Sequence, residues 1–178
     1  MGIPTLINTL TADGDTSVAF TSGIDGTYDE YMFVFTDMHT NTDNKSISMA
    51  FSDDGGSSYG ITKTTSLFEA IHNENDATAV LRYQAGADLA QSTTAVNLFR
   101  NMGSAATESG AAIMHLFNPA STTYVKHFYI RLIEKHAFDA LMENGIAGYL
   151  NTTSAIDAVK WTPTSGNFDG VIQMYGIS

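Results

Sequence analysis

From Lys45 to Ser52 the chain alternates without a break: Ile47, Met49 and Phe51 are interleaved with Ser46, Ser48, Ala50 and Ser52. A period of two puts every second side chain on one face, so this segment can gather its apolar side chains only as a β-strand, with the serine face toward water. Residues 28–37 show the same period with a different consequence. Tyr31, Phe33 and Phe35 fall on one face, but Met32 and Val34 make the other face apolar too, so this strand is expected to be covered on both sides.

Further strand-like segments are 6–11, 17–21, 79–84, 112–117, 124–133, 146–150, 155–161 and 168–177. They are separated by Gly, Asn and Asp clusters such as Ala12-Asp13-Gly14-Asp15, Asn41-Thr42-Asp43-Asn44 and Asp53-Asp54-Gly55-Gly56. Many short strands at this spacing, with no long helical pattern between them, specify an all-β fold, and the reading adopted is a jelly-roll-like antiparallel sandwich with at most one or two short helices. The segments 66–73 and 94–101 fit either a strand or two helical turns. Residues 136–144 are the best helix candidate, because Phe138, Leu141 and Met142 recur at i, i+3 and i+4 before Asn144-Gly145. No repeat or Pro-rich linker interrupts the 178 residues, which read as a single domain, 1–178.

Composition removes several functions. The chain has 8 Lys and Arg against 19 Asp and Glu, a net charge of −11, which argues against nucleic acid as a partner. Without cysteine there is no disulfide framework, thiolate metal site or thiol nucleophile. The N-terminal Met1-Gly2-Ile3-Pro4 lacks the basic and apolar regions of a signal peptide, and the longest apolar run, Tyr31–Phe35, is far short of a membrane span. Folding in the cytoplasm, with no membrane insertion, is the expectation.

Gly56-Ser57-Ser58-Tyr59-Gly60 matches the G-x-S-x-G nucleophile elbow, but the strand before it is of the antiparallel type and the β-branched Ile61–Thr65 stretch follows, so the strand-to-helix context is missing. The same residues fit an Asp-box, S-x-D-x-G-x-[ST]-aromatic, through Ser52, Asp54, Gly56, Ser58 and Tyr59. That resemblance implies a structural hairpin turn in which the aspartate bonds turn amides over the aromatic ring. The Asx-rich turns hold many oxygen ligands, yet none has the EF-hand order; no cofactor is expected, apart from the option of a structural calcium held by converging loops.

His115 and His127 lie on adjacent strand candidates and are expected to face each other across a hairpin, as neutral imidazoles and not as a metal site. Glu69, Glu134 and Asp157 sit within or beside apolar strands; with no signature joining any two, solvated carboxylates are expected. Tyr28, Tyr31, Tyr83, Tyr124, Tyr129, Tyr149 and Tyr175 suit either sugar stacking or subunit contact, and Trp161 is assigned to the core. No residue is assigned a catalytic role, and no enzyme activity is expected.

The C-terminal half is more specific. His115-Leu116-Phe117-Asn118-Pro119-Ala120-Ser121-Thr122-Thr123-Tyr124-Val125-Lys126-His127-Phe128, Ala147-Gly148-Tyr149, Asn151–Ile156, Ser165–Gly170 and Met174-Tyr175-Gly176 resemble a group of small proteins encoded by tailed bacteriophages of marine bacteria. Tyr28–Tyr31 and the Ser52–Tyr59 turn resemble that group as well, whereas residues 77–109 match least. The resemblance implies a β-rich virion structural protein on the particle surface, assembled in the bacterial cytoplasm. Under it, the chain is expected to be a capsid decoration or accessory component that forms a homo-oligomer, a trimer being favoured, and binds capsid or tail proteins. The strand Tyr31, Met32, Phe33, Val34, Phe35 is the expected interface. The alternative is a tail- or head-fibre tip that binds host glycans.

Overall fold

The computed structural model describes residues 2–178. Thirteen strands follow one another along the chain: β1 Thr5–Asp15, β2 Val18–Phe20, β3 Glu30–Thr40, β4 Lys45–Ser52, β5 Lys63–Asn73, β6 Ala79–Tyr83, β7 Leu89–Ser92, β8 Val96–Met102, β9 Gly110–Phe117, β10 Lys126–His136, β11 Ala140–Leu150, β12 Ala158–Pro163 and β13 Phe168–Ile177. All pairings are antiparallel, and no helix occurs among the described residues.

The pairings make two layers. A large sheet runs β1-β13-β3-β9-β10-β11-β5, with β6 and β7 sharing the free edge of β5; a smaller one runs β2-β12-β4-β8. They join at one corner, where His136 of β10 pairs with Met102 of β8. The chain passes between layers at β1–β2, β2–β3, β3–β4, β4–β5, β7–β8, β8–β9, β11–β12 and β12–β13, giving a jelly-roll-like all-β sandwich.

The core lies between the inner faces. Trp161 of β12 is fully buried, with ring centroids of Phe35, Phe33 and Phe20 at 5.4, 5.7 and 5.9 Å. Ile47, Met49 and Phe51 of β4 face it from the small sheet, and Tyr31, Phe33, Phe35, Met114 and Ile172 from the large one. The hydroxyl of Tyr31 reaches past the apolar layer to donate to Asp25, so this buried phenol is satisfied.

Several expectations from the sequence are corrected. Residues 136–144 form the β10–β11 hairpin, with His136 paired to Ala140; Ala140, Met142 and Asn144 are buried while Phe138 and Leu141 are exposed, so the burial period is two. Asp139 makes the turn at φ 50°, a conformation that Asp tolerates better than most residues. Of the two segments left open between strand and helix, 66–73 lies within strand β5 and 94–101 is strand from Val96 on, in β8. The serine face of β4 is dry: Ser48, Ala50 and Ser52 are buried, Ser48 donating to Asn97 and Ser52 to Asp54. Conversely, Met32 and Val34 on the outer face of β3 are only partly covered within the chain.

Candidate functional site

The Asp-box segment is a closed set of hydrogen bonds. Ser52 Oγ donates to Asp54 Oδ1 at 2.7 Å and accepts from the amides of Asp54 and Gly56, while Asp54 accepts from the amide and hydroxyl of Ser58 at 2.8 and 2.7 Å. These bonds to the ionised form hold the Asp54 carboxyl down to about 2. Tyr59 turns back toward Gly56 and carries Lys160 Nζ 4.1 Å above its ring. The turn is not a hairpin, because both edges of β4 are taken by β12 and β8; it carries the chain into the other sheet. Ser58 spends its hydroxyl proton on Asp54, and the chain runs on into strand β5, so the segment is a turn and not an elbow.

Other Asx residues also serve the backbone. Asn44, Asp76 and Asn118 occupy φ values of 57, 58 and 43°, and Asp157 accepts from the Gly55 amide with both oxygens. Among the described residues no three His, Asp or Glu side chains converge as a metal cluster.

The outer face of the large sheet is where exposed apolar side chains gather. Register places Val34, Ile113, Arg131, Gly145, Phe68 and Tyr83 in one cross-strand row, and Met32, His115, Tyr129 and Ala147 in the next. Ile133 and Leu81 extend the patch, and Phe68, Ile133 and Leu81 are 55, 50 and 76% exposed. Gly145 and Ala147 leave a low floor along β11, and the space over it between Tyr129 on one side and Phe68 and Leu81 on the other is a groove of about 620 Å³. Tyr129 is stacked at 4.7 Å on His115, which is also bonded to Glu30. Arg131 and Glu143 neutralise one another within the face, and Tyr149 and Asn151 both bond Gln91 beyond one end.

His115 and His127 share this face but are not opposite each other. The register of the β9–β10 hairpin pairs His115 with Tyr129 and His127 with Phe117. The strand expected as an interface splits between layers: Tyr31, Phe33 and Phe35 are core, and only Met32 and Val34 reach the outer face.

On the inner side, at the corner between the sheets, an ionic cluster replaces the core. Glu69 and Glu134 are 1 and 2% exposed, contrary to the solvated carboxylates expected from sequence. Glu69 receives Arg82 and Arg100 at 2.6 Å and Gln84 at 2.9 Å. Glu134 Oε1 accepts the Arg100 amide, its Oε2 has no partner among the described residues, and burial pushes the carboxyl up to about 8. His136 accepts the Phe138 amide on Nδ1, which leaves the ring proton on Nε2, and burial lowers its affinity for a second proton.

At the other end of the sandwich Lys63 and Lys126, both fully buried, flank Leu150 on the inner face. Lys63 donates to the carbonyls of Thr93 and Thr94, and Lys126 to those of Thr152 and Ser154. Burial brings the Lys63 ammonium down to about 8. The two lysines thereby tie the β7–β8 and β11–β12 loops to the large sheet.

No family model matches the chain, and no curated protein does. Among solved structures it is similar to a protein of unknown function from Bacteroides ovatus, at 6% identity and TM-score 0.30, over 55% of this chain and 44% of that one. The marine PL-14 alginate lyase from Aplysia kurodai shares 11% identity at TM-score 0.27, over 83% of this chain and 71% of the lyase. A protein in the structure of infectious bursal disease virus Gt strain shares 10% identity at TM-score 0.15, over 98% of this chain and 42% of its own. The chain spans less than half the length of the first of these, and at such scores the similarity carries no assignment of activity.

The ionic corner and the buried lysines were not assembled from sequence, although each left a trace. Lys126 and Glu134 are in phase with Phe128, Ile130 and Leu132, and Lys63 is in phase with Leu67 and Glu69. A charge at an apolar position of a period-two strand is the signal that it will be buried.

Proposed function

We propose that the protein is a structural component of a tailed-phage particle, of the capsid decoration or accessory type, that self-associates as a trimer and binds the particle through the outer face of its large sheet. The observation that carries this reading is the apolar character of that face. An antiparallel sheet with one free face ordinarily turns polar side chains to water. Here Val34, Ile113, Ile133, Phe68, Leu81 and Tyr129 share it, in a chain of net charge −11. A contiguous apolar patch of this kind marks an interaction surface. Met32 and Val34 bring the proposed interface strand into it, and the Arg131–Glu143 pair lets the face be covered without stranding a charge.

The test has two arms. Quantitative mass spectrometry of purified particles gives copy number: hundreds of copies per particle support decoration, and absence from the particle overturns the reading. Light scattering of the isolated protein, with Ile113→Asp and Ile133→Asp introduced together, is expected to turn an oligomer into a monomer of unchanged circular dichroism. A wild-type monomer at every concentration overturns self-association.

A second reading rests on the groove itself. Rings of Tyr129 and Phe68 over a floor of Gly145 and Ala147, with the Gln91 and Asn151 amides beyond the end, form the kind of platform on which a sugar stacks, as a fibre tip would need. A glycan array with and without EDTA tests it. Gly145→Leu grows from the groove floor, where nothing lies within 4 Å of an added Cβ, and is expected to abolish any signal. No signal in either condition removes this reading.

A further inference from the structure

The ionic corner has more hydrogen-bond donors than the protein uses. It opens as a pocket of about 380 Å³ lined by Glu69, Arg82, Arg100, Asn101, His136 and Met142 among others, a volume that suits a ligand the size of one sugar ring. Two of the chain's three arginines stand in it, although the protein as a whole carries an excess of acid. Glu69 is the one buried carboxylate that meets them. It uses Arg82 through Nε and Nη2 and Arg100 through Nη1, so each guanidinium keeps further N–H groups for another acceptor. His136 adds an Nε2–H whose orientation is fixed by the Phe138 amide on Nδ1. Glu134 brings no second negative charge at neutral pH, because it is held protonated. Glu108 lies to the side and is engaged by the Ala105 amide.

The rest of the lining combines apolar Ile71, Val80, Phe138, Ala140 and Met142 with the neutral polar side chains of Asn73, Thr78 and Gln84. A structural ion-pair network of this composition would be closed and balanced in charge. This one is open at Arg82, whose side chain is 53% exposed, and holds two cations against one anion.

We propose that this corner is a binding site for a small organic carboxylate with a ring-sized body, of the class of a uronic acid. Its carboxylate would take the planar N–H fork of Arg82 and Arg100, and its body would lie against Val80, Phe138 and Met142. The site is separate from the outer-face groove, on the opposite side of the large sheet, so it stands or falls independently of the particle-binding role.

The probes are sodium glucuronate, glucose and benzoate, titrated into the full chain at pH 7 and low salt and followed by calorimetry and by backbone amide shifts along the whole chain. Saturable binding is expected for glucuronate, with shifts confined to β5, β6, β8 and the β10–β11 turn, and at least about tenfold weaker binding for glucose, which lacks the charge. Arg82→Gln leaves the Glu69–Arg100 pair intact and is expected to weaken glucuronate by about tenfold or more. Val80→Phe at the half-exposed edge is expected to block the pocket while the fold persists. Benzoate binding in place of glucuronate would keep the carboxylate site and overturn the sugar class. Equal affinity for glucose and glucuronate, an unchanged Arg82→Gln, or no saturable binding of any probe overturns the proposal.

Discussion

Arg100 of the small sheet and Glu69 of the large sheet meet at 2.6 Å, and that contact fastens the two layers at the corner where the apolar core gives out. A buried charge that loses its partner costs more than the pair contributed, because the remaining ion stays desolvated. Glu69→Gln is therefore expected to destabilise the fold by about 2–4 kcal/mol, leaving the largely covered Arg100, 19% exposed, without its counter-charge. Arg82→Gln, at a half-exposed side chain, is expected to cost about 1 kcal/mol or less. Urea denaturation followed by circular dichroism checks both, and equal effects of the two substitutions would show that the inter-sheet pair has no special role.

Ser52 organises the turn that follows β4. Its hydroxyl makes one donated and two accepted hydrogen bonds from a fully buried position, so Ser52→Ala orphans two amides at once. A loss of about 1–3 kcal/mol is expected, with faster amide exchange at Asp54 and Gly56. Ser58→Ala, at an exposed hydroxyl, is expected to change stability by a few tenths of a kcal/mol. A nucleophile elbow would behave the other way round, its serine altering ester turnover without touching the turn. Exchange measured by mass spectrometry, alongside an ester assay, separates the two.

Trp161 is the chain's one tryptophan and touches Phe20, Phe33 and Phe35 at the centre of the core. Its native fluorescence is expected to be blue-shifted, and to move red in a single step with the loss of circular dichroism. Trp161→Ala is expected to cost about 3–5 kcal/mol through lost burial and a residual cavity. Its Nε1–H is buried with no acceptor among the described residues, so Trp161→Phe is expected to cost clearly less than the alanine change. If both substitutions cost the same, cavity volume is not what Trp161 supplies.

β4 and β3 were legible as strands because apolar side chains recur at every second position; burial keeps that period from Glu30 to Phe35, whereas β4 is buried on both faces from Ile47 to Ser52. The β10–β11 hairpin was not. Phe138, Leu141 and Met142 imitate a helical stripe, and only the cross-strand pairing of His136 with Ala140 puts Phe138 and Leu141 in the open. The Asp-box residues were found together because they are local, whereas Glu69, Arg82, Arg100 and Glu134 come from four strands and could be joined only once the register was known. The exposed outer face lay hidden for the same reason. Val34, Ile113 and Phe68 lie on three separate strands, and it is sheet order that brings them together and leaves them uncovered.

Glu134 makes stability depend on pH with a definite sign. Its carboxyl is raised from 4.5 to about 8, first by burial and then by the charge of Glu69, against the opposing Arg100 amide and charge. The folded state therefore holds a proton that the unfolded chain releases above about 4.5, and the contribution of this proton is fully present below that value. It is lost progressively as pH rises toward about 8 and does not fall further beyond it. Glu134→Gln keeps the shape and the neutral state at every pH, so it is expected to match the parent near pH 4.5 and to exceed it in Tm at pH 8 and above. The difference should grow between those limits and then level off. A Glu134→Gln protein less stable than the parent both at pH 7 and at pH 8.5 would mean that the carboxylate is already ionised in the fold at neutral pH and stabilised by Arg100, and the corner would then carry no surplus positive charge.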